Sequence, residues 1–201
     1  MPRIAGQIDQ AKSEAMLDAA GAVIAERGFG ASVEAIARRA GVSKQTLYNH
    51  FGGKEGLIQA LVRRRVDVLT SPLAEGAAGG DPETVLTAFA RVLIDATLSP
   101  AKLSALRLAI QGAVEVPEMG RLIYEAGAQT SRSRLADYLR GETQAGRLAV
   151  DDPEEAAELF AAMTGGQRLR GLLGLPVSND PASVARMSRA IAHRFVRAYA
   201  P

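Results

Sequence analysis

The sequence predicts an all-α protein, and three observations support this fold class. Residues that favour helices (Ala, Leu, Arg and Glu) are abundant, whereas aromatic residues make up only 4% of the 201 residues. Apolar residues recur at intervals of three and four, which is the spacing of an amphipathic helix. Asp-Pro and Ser-Pro pairs precede several of these segments. Such pairs are typical of helix starts, because the Asp or Ser side chain caps the first N–H groups and proline fits the first turn.

The first third of the chain predicts four helices, and the first three each end at a glycine. Their expected bounds are about 9–27, 32–40, 43–51 and 54–73. Gly28, Gly41 and Gly52 follow the first three. Glu75–Gly80 is the best linker in the chain, and we expect it to separate two helices rather than two independent domains. The residues predicted to face inward in the first helix are Met16, Leu17, Ala20 and Ile24.

The remaining helices are predicted to begin after Asp81, Ser99, Asp152 and Asp180, with a weaker start at Val116-Pro117 that lacks a polar cap. Each start is followed by an apolar stripe with helical spacing. In chain order the predicted stripes are Val85, Phe89, Val92 and Ala96; Leu103, Leu106 and Ile110; Leu159, Phe160 and Met163; Val184, Met187, Ser188, Ile191 and Phe195.

Composition narrows the classes of function. The chain has no cysteine and only two histidines, which excludes thiolate zinc sites and His-rich clusters, so we expect no metal and no cofactor. No uncharged apolar run approaches the roughly 18 residues of a membrane span, and the N-terminus lacks an apolar secretory core. We therefore expect a cytoplasmic protein without membrane association. The sequence has no Walker pattern, no dinucleotide-binding glycine pattern and no Ser-His-Asp grouping, so we do not expect an enzyme. The alternative is an enzyme that uses convergent carboxylates, which an activity assay would test.

Positive charge is concentrated at the start of the chain. Residues 1–65 contain ten Lys or Arg and six Asp or Glu, whereas residues 66–201 have a net charge of −2. A basic first third is typical of a segment that binds an anionic partner. A net charge of +4 over 65 residues is equally compatible with ordinary variation, so charge alone does not decide the function.

The spacing of residues 36–48 is that of a helix-turn-helix. Ala37 is small enough for a second helix to cross closely, Gly41 suits a tight turn with positive φ, and Ser43 caps the next helix. Val42 and Leu47 fill the angle between the helices. A plain corner between two core helices is the alternative. The DNA-binding interpretation is favoured because the second helix is short, poor in apolar residues and rich in polar ones, namely Lys44, Gln45, Thr46 and Asn49.

On these residues the sequence resembles the tetracycline-repressor-like (TetR) family of regulators. The resemblance covers about residues 16–61, including the stretches LDAAGAVIAERGFG, VEAIARRAGVSKQTLYNHF and GGKEGLIQAL. It implies an all-α fold with an N-terminal helix-turn-helix domain at 1–55 and a larger ligand-binding and dimerisation domain at 56–201. The later stretches LRLAIQGAVEVPEMGRLIYEAG and GRLAVDDPEEAAELF resemble the AefR-type branch. Members commonly have two hydroxyl residues before the second helix, where this chain has Ser32 alone.

The resemblance and the chemistry of the side chains together assign expected DNA contacts. Lys44 and Gln45 begin the recognition helix, where a lysine can donate to guanine O6 and N7 and a glutamine can pair with adenine. Thr46 suits a thymine methyl group or a phosphate. Tyr48, His50 and Lys54 are expected to contact the DNA backbone, which positions the protein without sequence information. The full set is Ser32, Ser43, Lys44, Gln45, Thr46, Tyr48, Asn49, His50 and Lys54, with a structural His50 as the alternative for that residue.

The later helices predict a dimer and a small-molecule pocket. Small residues at Ala161, Ala162, Gly165 and Gly166 would let another helix approach closely. His193 falls on a polar face with arginines, which disfavours a metal or catalytic role. Polar side chains among apolar neighbours are typical of ligand sites, although an internal pair between Arg107 and Glu115 or Glu118 is the alternative for that arginine. The candidate pocket residues are Arg107, Gln111, Tyr124, Phe160, Met163 and Thr164.

The sequence thus predicts a homodimeric transcriptional repressor that a small-molecule effector releases from a pseudo-palindromic double-stranded operator. A helical partner-binding module that never touches DNA is the alternative. DNA binding that weakens with salt would distinguish the two, because displaced phosphate counterions make protein–DNA affinity depend on salt.

Overall fold

The computed structural model describes residues 5–28, 30–77 and 79–201, with side chains from residue 10 onward. Every regular element in these ranges is helical, which confirms the predicted all-α class. A π-helical turn at Glu125–Gln129 joins the seventh and eighth helices. The helices are α1 (Ala5–Arg27), α2 (Val33–Ala40), α3 (Lys44–Phe51), α4 (Lys54–Gly76), α5 (Pro82–Leu98), α6 (Pro100–Glu115), α7 (Pro117–Tyr124), α8 (Thr130–Gln144), α9 (Pro153–Thr164), α10 (Arg168–Leu172) and α11 (Pro181–Ala198).

The described residues form two compact units, and the first of them is discontinuous in sequence. It contains the residues up to Arg65 together with Arg107–Ala126, while the second contains Val66–Leu106 and Gly127–Pro201. Helix α4 contributes its first half to one unit and its second half to the other. The predicted division after residue 55 concerns function and stays a prediction.

The first unit has a hydrophobic cluster drawn from α1, α2, α3 and α4. Met16, Ile36 and Leu57 are fully buried in it, and burial of such side chains contributes roughly 1.5–3 kcal/mol each. This burial matters because isolated helices as short as α2 and α3, with eight residues each, are unstable in water. The residues of α1 predicted to face inward are all buried, as expected: Met16, Leu17, Ala20 and Ile24.

Helix α4 passes through Pro72, which cannot donate to the carbonyl four residues earlier. That carbonyl, on Val68, instead accepts a hydrogen bond of 3.2 Å from the Ser71 hydroxyl. The helix continues to Gly76, so the predicted linker starting at Glu75 begins too early. The reason is packing: a Cβ at Gly76 would lie only 2.3 Å from Val85 Cγ2, and glycine therefore lets the last turn of α4 pack against α5.

The predicted Asp-Pro helix starts in the second unit are confirmed. Asp81, Asp152 and Asp180 each accept a hydrogen bond from the backbone N–H three residues later, at 2.9–3.0 Å. In the first unit, Val116 precedes α7 without a side-chain cap, again as predicted. These caps satisfy N–H groups that have no partner inside the helix.

The core of the second unit contains a run of aromatic rings from α5, α9 and α11. Phe160 stacks on Phe89 with ring centroids 5.8 Å apart and meets the edge of Phe195 at 5.0 Å. Tyr199 continues the run beyond Phe195 at 4.8 Å. Offset and edge-on pairs of this kind stabilise a core beyond the burial of their area.

Some predicted faces are wrong in the folded chain. Ile110, Leu159 and Met163 were expected to face inward, yet they are 49%, 50% and 38% exposed. Leu159 and Phe160 are adjacent, so a helix turns them about 100° apart, and only Phe160 reaches the core. Helical spacing identifies residues on one face, but it does not show whether another element covers that face.

Among the described helices, none is by itself both long enough and apolar enough to cross a membrane. The bent pair Pro82–Leu98 and Pro100–Glu115, at 67° to each other, reaches the required length and composition only when the two are taken together.

Candidate DNA-binding surface

The turn between α2 and α3 has the geometry that the sequence predicts. Gly41 adopts φ 65°, in the left-handed region, and its N–H donates to Arg38 O at 3.3 Å. The next N–H, on Val42, donates to Ala37 O at 3.0 Å. Leu47 is buried beneath the turn. These bonds close the C-terminus of α2 and start α3 directly afterwards, as in a helix-turn-helix.

Two of the predicted DNA-contacting serines are helix caps. Ser32 Oγ accepts from Ala35 N at 3.2 Å and Ser43 Oγ accepts from Thr46 N at 3.0 Å. The Thr46 hydroxyl also lies 2.8 Å from Ser43 Oγ. These hydroxyls therefore fix the starts of α2 and α3. Whether they also touch phosphates stays a prediction.

The remaining polar side chains of α3 form two pairs along the helix. Gln45 Nε2 donates to Asn49 Oδ1 at 2.8 Å. Lys44 Nζ lies 5.7 Å from the centroid of the Tyr48 ring, within the range of a cation–π contact. Lys44, Gln45, Tyr48 and Asn49 are all exposed, so the structure brings four of the predicted contacts together on an accessible face of α3.

Glu34 also belongs to this surface, although no sequence motif predicted it. Lys44 Nζ donates to Glu34 Oε1 across the turn, and this bond holds the pKa of the Glu34 carboxyl below its ordinary value. The same bond raises the pKa of the Lys44 ammonium. Both groups thus carry full charge at neutral pH. An acidic residue in the first turn of α2 was the available sequence signal, but its partner ten residues away became evident only with the turn.

His50 and Lys54 flank the junction between α3 and α4. Both are partly buried, and the His50 ring lies 6.1 Å from Phe51. Lys54 is the first residue of α4. A second missed residue, Gly56, makes this junction tight: a Cβ there would lie 1.9 Å from the carbonyl oxygen of Phe51.

The predicted ligand-pocket residues are divided between the compact units. Arg107, Gln111 and Tyr124 belong to the first unit, and the other three to the second. Gln111 and Tyr124 are exposed, whereas Phe160 is fully buried in the aromatic core. The Thr164 hydroxyl donates to Ala161 O at 2.9 Å. The pocket stays a prediction.

His193 is exposed on α11, as expected, with Nδ1 3.3 Å from both carboxylate oxygens of Glu83. Arg189, Arg194 and Arg197 lie around it. Within the described ranges, no three His, Asp or Glu side chains are grouped as a metal site.

Helix α3 is polar and exposed, and a tight turn at Gly41 joins it to the supporting helix α2. This arrangement is that of helix-turn-helix regulators. Comparison with protein families agrees. Residues 16–61 match the family described as bacterial regulatory proteins, tetR family, and residues 84–201 match the AefR-like transcriptional repressor C-terminal domain. The chain belongs to the TetR family of bacterial transcriptional regulators, which favours DNA binding over the partner-binding alternative.

Several relatives are similar over most of the chain. The regulator BetI of Rhizobium meliloti is 32% identical over 92% of this chain and 89% of its own length. The repressor KstR2 of Mycobacterium tuberculosis is 33% identical over 67% of this chain and 59% of its own. These relatives are transcriptional regulators, not enzymes.

Solved structures show the same architecture. A protein from Mesorhizobium loti assigned to the TetR family superposes with a TM-score of 0.77 at 28% identity, covering 96% of this chain and 98% of that one. The flavonoid-responsive regulator FrrA superposes with a TM-score of 0.70 at 31% identity and the same coverage.

Proposed function

We propose that this regulator is a cytoplasmic homodimeric repressor that a small molecule releases from a pseudo-palindromic operator. The exposed face of α3 is the observation that carries the proposal. Two such helices in a symmetric dimer would contact half-sites one helical turn of DNA apart, or a multiple of one turn. The description of the matched C-terminal domain as that of a repressor supports repression.

Lys44 and Gln45 are proposed to contact base edges, and Thr46 and Asn49 lie beside them on α3. Tyr48, His50 and Lys54 are proposed to donate to phosphates, with Ser32 and Ser43 adding contacts where their capping bonds allow. Phosphate contacts set affinity and base contacts set preference. Substitutions of the base-contacting residues should therefore change which DNA sequence is preferred. Substitutions of the phosphate-contacting residues should instead change the affinity for all sequences.

Release follows if the effector binds more tightly to a conformer whose recognition helices do not fit both half-sites. Such a ligand shifts the population away from DNA, and by linkage DNA weakens ligand binding to the same extent. The flavonoid-responsive relative supports a small-molecule effector for this chain. Helix α4 belongs to both compact units, so it is the element through which we propose that the shift acts.

Arg107 is proposed as an anchor for an anionic or carbonyl-bearing effector. Arg107→Met keeps apolar bulk and removes the charge. If it is a ligand anchor, the variant melts normally, binds operator normally and fails to release it with effector. If it instead pairs with Glu115 or Glu118, the stranded carboxylate lowers the melting temperature and operator affinity falls with it.

The test of the function is capture of genomic DNA by the purified protein, followed by titration of the enriched fragment at several salt concentrations. We expect enrichment of pseudo-palindromic sites bound at least about 10³-fold more tightly than unrelated DNA, with affinity falling linearly in log[salt]. Absence of enrichment, with no binding even at low salt, would contradict the proposal.

A further inference from the structure

Glu34 and Lys44 form an ion pair within the proposed DNA-binding surface. Glu34 lies in the first turn of α2 and Lys44 is the first residue of α3, so the pair bridges the turn of the motif. Their side chains are 57% and 53% exposed. Ion pairs this exposed contribute little to stability, so the fold does not require this one.

The carboxylate opposes non-selective DNA binding. Affinity for phosphates depends on the positive charge brought to the backbone, and Glu34 offsets the charge of Lys44. A carboxylate beside Lys44 therefore lowers the overall affinity for DNA. It can raise discrimination between sequences if it keeps Lys44 from contacting phosphates in place of bases.

The geometry leaves Lys44 with the donors that a base contact requires. An ammonium has three N–H groups, and one of them is directed to Glu34 Oε1. Two remain, and guanine presents two acceptors, N7 and O6, in the major groove. The Tyr48 ring, 5.7 Å from Nζ, further restricts the flexible lysine.

We propose that Glu34 is a positioning residue that determines sequence preference. It holds Lys44 for a base contact and disfavours the contacts of Lys44 with phosphates. The inference rests on the proposed DNA-binding function and adds to it a residue whose loss should strengthen DNA binding while weakening discrimination.

The test compares Glu34→Gln with Glu26→Gln by selection from a randomised operator library. Glu26 is a matched control because it forms a similar exposed ion pair with Arg39 in the same unit, with side chains 51% and 49% exposed. For Glu34→Gln we expect tighter binding to unrelated DNA and a salt dependence steeper by up to about one unit. Discrimination at one base pair of each half-site should fall about fivefold or more.

Adding Lys44→Met makes the test specific. If Glu34 acts through Lys44, Glu34→Gln changes no base preference in the Lys44→Met background, and a double-mutant cycle reports this coupling. Melting curves of each variant check that the fold is kept.

Three results would overturn the inference alone: an unchanged base preference in Glu34→Gln, an equal change in Glu26→Gln, or a change of base preference caused by Glu34→Gln in the Lys44→Met background. A wild-type protein that enriches no sequence would instead overturn the proposed function, and the inference with it.

Discussion

At Lys54, a positive charge coincides with a helix N-terminus. The first N–H groups of a helix lack partners within the helix and its dipole adds positive potential, which suits a phosphate. We predict that Lys54→Ala weakens binding to all DNA sequences by a similar factor and flattens the slope of log K against log[salt] by about one unit. Lys102→Ala, in the other compact unit, is the control. A changed base preference in Lys54→Ala would assign the residue to base contact instead.

Asp81 makes the stability of the second unit depend on pH. The hydroxyl and N–H of Thr84 donate to one carboxylate oxygen at 2.7 and 2.9 Å, and they hold the pKa of Asp81 below its ordinary value of 3.8. A pKa lowered by folding means that this stability is present above about pH 4 and is lost as the pH falls through the folded-state pKa.

Asp81→Asn keeps the cap but removes the titration. We therefore predict a variant less stable by about 0.3–1 kcal/mol at neutral pH, from the lost charge at the helix N-terminus. This difference should shrink as the pH falls through the folded-state pKa of Asp81. Urea unfolding at a series of pH values measures the difference. Asp95→Asn, in the last turn of the same helix, removes a carboxylate from the opposite end and should not destabilise the protein at neutral pH. A loss of stability in Asp81→Asn no larger than that in Asp95→Asn would count against the capping charge.

At the level of residues, the sequence predicts what is local. The caps at Ser32 and Ser43 and the glycine at position 41 follow from chemistry within four positions of each residue, and all three are confirmed. The pair between Glu34 and Lys44 was missed because its partners are ten positions apart. Their meeting depends on the angle that the turn gives the two helices.

At the level of elements, the junction of α3 and α4 depends on Gly56. A Cβ would meet the Phe51 carbonyl oxygen at 1.9 Å, and a backbone atom is costly to displace. We predict that Gly56→Ala lowers the free energy of unfolding by roughly 1–3 kcal/mol and reduces DNA affinity. Gly141→Ala, in α8 with open space around it, should instead be stabilising by about 0.4–1 kcal/mol. Similar effects from both substitutions in urea unfolding would refute the packing argument.

Helix α8 shows why some elements escaped prediction. Its sequence, TSRSRLADYLRGETQ, is mostly polar, and it buries Glu142 nearly completely. The burial is feasible because Arg147 donates to both carboxylate oxygens, at 2.6 and 2.8 Å. Leu135, Tyr138 and Leu139 have helical spacing and are buried. The helix begins without a capping side chain, however, so it lacks the Asp-Pro or Ser-Pro signal that predicted other helix starts.

At the level of the whole molecule, the exposed apolar face of α9 suits a second copy of the chain. Leu159 and Met163 are exposed next to the small residue Ala162. We predict that Ala162→Glu yields monomers with weak operator affinity, because a charge buried between helices is costly. Ala88→Glu, at an exposed position of α5, should leave the dimer intact. Sedimentation distinguishes the two, and a wild-type monomer at micromolar concentration would contradict the proposed dimer.

The composition of the first compact unit could be predicted only in part from the sequence. Motifs near Lys44 predict where DNA binding is located, and the family match at residues 16–61 agrees. The return of Arg107–Ala126 to the first unit has no counterpart in those motifs, because long-range contacts are not encoded in local spacing.

That return has a consequence for synthesis on the ribosome. The hydrophobic cluster of α1 to α4 can form once α4 has emerged, since its members all lie at or before Leu61. The first unit is complete only after Ala126 has been added, and the 65 residues after Leu61 take roughly 3–13 s at 5–20 residues per second. During that interval the helix-turn-helix can form before the rest of its unit, including Leu108, whose side chain lies beside Gly28, has been translated.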